Sequence, residues 1–302
     1  MACIVPDEAT LQRVFAGDAG SVRRIPAGAE WLAALLFALH PVAVESVAWI
    51  AEQKNTLSAV LYFCAVLAYL RFDNRRRGAA YALATGLFLA ALLTKTVTAS
   101  LPAALLVVFW WRRGRLGWRR DVLPLLPWFA AGIAAGWVTA RFEYTRIGAQ
   151  GADFALSVAQ RCLLAGRVFW FYLGKLLWPA DLIFIYPRWT VDAAQVWQWL
   201  FPFGALALLL VLWRGRRRGP LAAVLFFAGT LFPALGFVNV FPFLFSFVAD
   251  HFQYLACAGI LTLVAVGLAT ALARTSSGDG AITAATAGGA DTSATESLHP
   301  MT

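Results

Sequence analysis

The chain has 302 residues, of which 61% are hydrophobic and only 14% charged, with 13 tryptophans and 23 phenylalanines. Apolar runs of bilayer length recur along it, which excludes an ordinary soluble domain and points to an all-α polytopic membrane protein. The net charge of +9 does not imply a nucleic-acid partner, because it is concentrated in short links between apolar runs, "RFDNRRRG", "WWRRGRLGWRR" and "WRGRRRGP". Short basic links of this kind mark cytoplasmic loops.

Residues 1–29 read as a cytoplasmic N-terminal segment. They hold no bilayer-length run, lack the basic start and apolar core of a signal peptide, and place Asp7, Glu8 and Asp18 inside. Requiring every arginine cluster to face the cytoplasm then gives spans over 31–49, 56–70, 79–94, 97–111, 122–140, 196–213, 221–237 and 252–273. That makes eight spans within a membrane domain of residues 30–274, with both termini inside. Residues 275–302 are rich in Ser, Thr, Ala and Gly without apolar periodicity, the composition of a disordered tail.

One apolar segment breaks the pattern. Counting 161–187, "RCLLAGRVFWFYLGKLLWPADLIFIYP", as a crossing would put Arg214, Arg216, Arg217 and Arg218 outside. Arg167 and Lys175 would also sit within the bilayer, at high cost unless paired. The segment is therefore expected to be an interfacial or re-entrant helix within an outer loop of residues 141–195, where Phe169, Trp170, Phe171 and Tyr172 enter the membrane boundary. A ninth span is the alternative.

The outer side collects the chemically mixed stretches. All three lysines, Lys54, Lys95 and Lys175, fall there, while the inner links use arginine alone. In "HPVAVESVAWIAEQKN", Pro41 suits the first turn of a helix. A continuous helix would align Glu45, Trp49 and Glu52 on one stripe. Glu45, nearest the apolar run, is expected to need a cation there, with Lys95, Lys175 or Arg188 as partners. For Glu52 and Lys54 plain solvation is an equal alternative. His40 follows the run directly, where a hydrogen-bonded core histidine is the commoner outcome than a catalyst. In "FSFVADHFQYLACAGI", Asp250 and His251 must point to different partners, while Tyr254 shares the His251 face. The four cysteines, Cys3, Cys64, Cys162 and Cys257, show neither disulfide nor metal spacing.

The stretch "LAALLFALHPVAVESVAWIAEQKNTLSAVLYFCAVLAYLRF" resembles the membrane module of the transmembrane-and-tetratricopeptide-repeat proteins. "YLGKLLWPADLIFIYP" and "VADHFQYLACAGI" are similar to later blocks of that module, in the same order, so the resemblance covers about residues 32–272. Those proteins are similar to C-type glycosyltransferases, multi-span enzymes whose donor is a polyprenyl-phosphate-linked sugar. The resemblance implies a bacterial inner-membrane protein with its site on the periplasmic face, using membrane lipid, that donor and a protein acceptor. No metal or other cofactor is implied, with a divalent cation left open. It implies an acid–base role among Glu45, Asp250 and His251, phosphate binding by Lys95, Lys175 and Arg188, and support from His40, Trp49, Glu52 and Tyr254.

The departures are expected to matter. Residues 1–29 hold nothing like the family's first outer loop, which carries its general base, and no tetratricopeptide-type repeat follows the membrane module. The chain is thus expected to be a fragment lacking that acid, with a non-catalytic membrane scaffold or lipid-binding protein as the alternative.

Overall fold

The structure, a computed structural model, describes residues 26–215 and 218–290, the last of these from 275 on as backbone alone. Arg216, Arg217, the first twenty-five residues and those after 290 lie outside the described residues, as do the expectations for Cys3, Asp7, Glu8 and Asp18.

Among the described residues every regular element is helical. The α-helices are α1 (Ala29–Leu39), α2 (Val44–Ala48), α3 (Gln53–Arg75), α4 (Gly78–Thr94) and α5 (Leu101–Arg113). They continue as α6 (Leu126–Phe142), α7 (Val158–Leu177), α8 (Leu200–Arg214), α9 (Arg218–Leu231) and α10 (Cys257–Ala290). Four stretches are long and apolar enough to cross a bilayer: Ile50–Arg75, Trp118–Ile147, Val196–Arg214 and Cys257–Arg274. A fifth forms if Ala29–Leu39 and Pro41–Ala48, bent by 53°, make one span. Gly78–Thr94 and Arg218–Ala234 are apolar but shorter. The backbone of α10 runs on as helix past Arg274 to Ala290, where a disordered tail was expected from 275.

Packing follows the logic of a chain solvated by lipid. Buried positions are often small, as with Ala59, Ala65, Ala84, Ala91 and Ala104, which lets helices approach closely. Large apolar side chains such as Leu93, Ile50, Trp137, Phe203 and Leu206 point outward. Aromatic groups fill what the alanines leave: Trp128 stacks on Phe88 with centroids 4.6 Å apart and donates from Nε1 to Thr85 Oγ1 at 3.0 Å.

The helices join two unlike ends. At the arginine end, Arg113 bridges the buried Asp73 and Asp121, and Arg76 donates to the Arg120 carbonyl at 3.3 Å. There α5 stops at Gly114, which adopts φ 75°, a left-handed conformation suited to glycine, and Arg218 from the start of α9 lies against it. At the opposite, mixed end, Lys95 meets Asn55, Thr96 Oγ1 lies 2.9 Å from Thr139 Oγ1, and His251 meets Glu45.

Helix α7 is not among the candidate spans, and it packs against the start of α8 and the link ahead of α10. It begins with a capping box, Ser157 and Gln160 each holding the other's backbone N–H. Its buried face carries Leu164, Val168, Phe169, Tyr172 and Leu176 at helical spacing. Along its length Arg161 donates to the Gly236 carbonyl at 2.8 Å, Trp170 Nε1 to Phe201 O at 3.0 Å, and Tyr172 Oη to Ala249 O at 3.1 Å. His40 Nε2 then lies 3.0 Å from Leu176 O. Gly166 allows the closest approach, since a Cβ there would lie 2.7 Å from Pro202 Cα.

Candidate functional site

The link from α1 to α3 is not one helix. His40, extended ahead of Pro41 as residues before proline tend to be, caps a short 3-10 turn: its Nδ1 accepts the Val42 N–H at 3.4 Å. With Nε2 against the Leu176 carbonyl, both ring nitrogens are used structurally. Helix α2 then ends at Trp49, whose ψ of 117° is extended, before a 3-10 turn over Ile50–Glu52 leads into α3. The single stripe expected for Glu45, Trp49 and Glu52 therefore does not form. The break turns Trp49 onto Phe184, with centroids 4.9 Å apart, and within 6.1 Å of the His251 ring.

The two glutamates nevertheless converge, from either side of that break, on His251. Its Nδ1 lies 3.1 Å from Glu45 Oε1, its backbone N–H donates to Glu45 Oε2 at 3.1 Å, and its Nε2 lies 3.9 Å from Glu52 Oε1. The Nδ1–Oε1 approach is close but not aligned as a hydrogen bond, so both atoms are shielded without a hydrogen-bond partner. The group beside Glu45 is thus the His251 imidazole in place of the expected Lys95, Lys175 or Arg188. Glu52 corrects the expectation further. It is the more buried glutamate, its side chain 5% exposed, and it is saturated: Lys54 Nζ at 3.0 Å, Lys95 Nζ at 3.9 Å and Asn55 Nδ2 at 2.8 Å. Asn55 also donates to Ser46 Oγ at 3.0 Å and accepts from Lys95. Burial pulls the Lys95 ammonium down to about 8, against the opposing pull of Glu52.

Asp250 turns away from its neighbour, as adjacent positions require. Both its oxygens lie 3.0 Å from Tyr186 Oη, and burial pushes its carboxyl up to about 6, outweighing the Tyr186 hydrogen bond. Glu45 adds to the rise, while Lys175 and His251 oppose it. Burial likewise raises the Tyr186 phenol. Lys175 spends its ammonium on the Ala180 and Asp181 carbonyls, at 2.5 and 3.0 Å, and sits over the Phe171 and Tyr186 rings. Arg188 is tied to Asp153 and packs on Phe247. Tyr254 packs on Phe37, its centroid 5.1 Å away.

The structure therefore gathers Glu45, Glu52, His251 and Lys95, sets Asp250 behind them, and keeps Arg188, Tyr254 and His40 in supporting contacts. Sequence reasoning missed Ser46, Asn55 and Tyr186, and expected Tyr172 in the membrane boundary, whereas the structure buries it with its hydroxyl on the Ala249 carbonyl. Asn55 and Tyr186 stood inside the quoted stretches as polar groups flanked by apolar runs, the one available signal. Among the described residues no three His, Cys, Asp or Glu side chains are grouped to hold a metal.

The chain matches no family model, no curated protein and no solved structure. What the group can do must be argued from its own chemistry. A carboxylate beside an imidazole can accept and pass a proton, and a half-buried ammonium can meet an anion. Around the group stand exposed apolar side chains, Val44, Val47, Ile50, Phe184 and Ile185. The polar atoms lie behind a greasy rim.

Proposed function

We propose that the chain binds a polyprenyl-phosphate-linked sugar at its mixed end, as a glycosyltransferase or the donor-binding part of one, with a protein hydroxyl as acceptor. The observation that carries this reading is the shielded acid–base–cation group of Glu45, His251, Glu52 and Lys95 behind its apolar rim. A lipid-linked sugar offers a phosphate and hydroxyls on a long hydrocarbon, and such a site matches both parts. In this reading Glu45 takes the proton of the acceptor hydroxyl as its oxygen bonds the anomeric carbon. The carbon–oxygen bond to phosphate breaks, and Lys95 meets the charge left on the phosphate. His251 holds Glu45 in place through its backbone N–H.

The same reading puts the mixed end on the outer face of a bacterial inner membrane and the arginine end in the cytoplasm. Eight crossings then join them, with α7 along the interface. Two observations support it: Arg76, Arg113 and Arg120 gather around Asp73, and Arg161, Trp170 and Tyr172 of α7 bond to Gly236, Phe201 and Ala249, away from that cluster. Cysteines placed at Ser100 and Gly151 should react with an impermeant thiol reagent from outside, and one at Gly215 should not; outside labelling of Gly215 overturns this topology.

A non-catalytic lipid-binding scaffold is the second reading, favoured by the saturation of Glu52 by three partners. Photo-crosslinking of the purified chain with a photoreactive polyprenyl phosphate, paired with a transfer assay, separates the two. Labelling competed by the sugar-linked donor, with transfer lost in Glu45→Gln, assigns the enzyme. Competed labelling without transfer assigns the scaffold, and labelling that ordinary phospholipid competes equally refutes both.

A further inference from the structure

We propose that Arg167 of α7 docks the phosphate of a bilayer phospholipid whose acyl chains lie along the exposed face of α8. An arginine among so many apolar neighbours is costly unless paired, and this one is paired with rings instead of acids. Its guanidinium carbon lies 4.3 Å from the ring centre of Trp189 and 5.9 Å from those of Trp197 and Phe201. Trp189 comes from the link after α7, and the other two from the entry to α8. The junction is fixed on either side of Arg167. Trp170 Nε1 donates to Phe201 O at 3.0 Å, and Gly166 lets Pro202 approach closely.

Ring contacts engage the face of a guanidinium and leave its five N–H groups, which lie in its plane, for acceptors. Here they have none. Arg167 makes no hydrogen bond and no ion pair among the described residues, and its nitrogens are not sealed from solvent. Burial alone shifts its pKa, downward, with no acid near enough to oppose it. A half-buried cation with free donors and no counter-charge calls for an anion with several oxygens, and the guanidinium fork matches phosphate.

Position decides which phosphate. Val196–Arg214 is long and apolar enough to cross a bilayer, so its first turns, with Trp197 and Phe201, mark the level of the headgroups. Trp189, Trp197 and Trp199 stand at that level, where tryptophans settle between headgroup and acyl chain. Beyond it α8 buries none of its residues, and Leu200, Phe203 and Leu206 are exposed. A free phosphate has no use for that surface, and a lipid without phosphate has none for Arg167. A phospholipid meets both.

The test uses the full chain, purified in a neutral detergent and titrated with phosphatidylglycerol, diacylglycerol of the same acyl chains, or inorganic phosphate. Thermal midpoint and lipid retention by native mass spectrometry are the readouts. Phosphatidylglycerol should raise the midpoint and stay bound; the other two should neither raise it nor displace bound phosphatidylglycerol at equal concentration. Arg167→Gln should weaken retention about fivefold, as expected for one charge near a headgroup, whereas Arg146→Gln, at an exposed arginine just past α6, should leave it unchanged. Equal retention of diacylglycerol, an equal shift from inorganic phosphate, parental retention in Arg167→Gln, or an equal loss in Arg146→Gln overturns the proposal. Should Arg167→Gln fail to fold, displacement of phosphatidylglycerol from the parent chain by diacylglycerol or inorganic phosphate overturns it, and resistance to both upholds it. No sugar donor enters the experiment, so its outcome is independent of sugar transfer.

Discussion

Replacing Glu52 by alanine should be the most damaging single change at the mixed end, and the reason is Lys95. The Glu52 side chain is 5% exposed and that of Lys95 22%, with the charges 3.9 Å apart. Removing one member of a buried pair strands the other, at roughly 3–5 kcal/mol when both are fully enclosed. The partial exposure of Lys95 puts the expected loss at the lower end, about 3 kcal/mol. Lys54, half exposed, can return only a few tenths of that. The assay is equilibrium unfolding in mixed detergent for the parent, Glu52→Ala, Lys95→Met and the double variant. The double variant should recover about 2 kcal/mol relative to the sum of the singles, because it leaves no orphaned charge. Additivity within about 0.5 kcal/mol, or a Glu52→Ala protein as stable as its parent, would refute the argument.

Other expectations concern protons and packing. Lys95 sits lower in the fold than its ordinary 10.5, at about 8, so the folded state sheds its proton first. Stability should therefore rise between pH 8 and 10.5, by up to about 3 kcal/mol, and Lys95→Met should erase that rise in an unfolding series against pH. Asp250 behaves oppositely: its carboxyl is raised from 3.8 to about 6, so the fold holds a proton the unfolded chain has lost. Stability should fall by about 3 kcal/mol from pH 3.8 to 6, and Asp250→Asn should flatten that fall while keeping an acceptor for Tyr186. Gly166→Ala forces a methyl onto Pro202 and should cost about 1–3 kcal/mol in the same assay, whereas Gly136→Ala, with open space around it, should not.

The helices between arginine clusters were legible because lipid imposes an uninterrupted apolar run and charge marks its ends. That α7 is a helix but not a candidate span fits the same reasoning, since Arg167 and Lys175 lower its hydropathy. The break at Trp49 was not, because nothing in "ESVAWIAEQ" disfavours helix; tertiary contact with Phe184 and His251 decides it. The burial of Glu52, where solvation stood as an equal alternative, was not legible for a related reason. Its neighbours Gln53 and Lys54 suggest solvent, whereas the partner that buries it, Lys95, lies forty-three residues on. The Tyr186–Asp250 contact spans sixty-four residues and leaves no local trace.

The packing of α7 also bears on how the chain is made. Of the four anchors along it, only His40 is synthesised earlier; Phe201, Gly236 and Ala249 all emerge later. A nascent chain ending near residue 200 thus carries a helix whose inward face, with Phe169, Tyr172 and Leu176, has one polar anchor and no α8–α10 to cover it. Its docking has to await the insertion of those last helices, so the mixed end closes as a late step of biogenesis, after most of the bundle is in place.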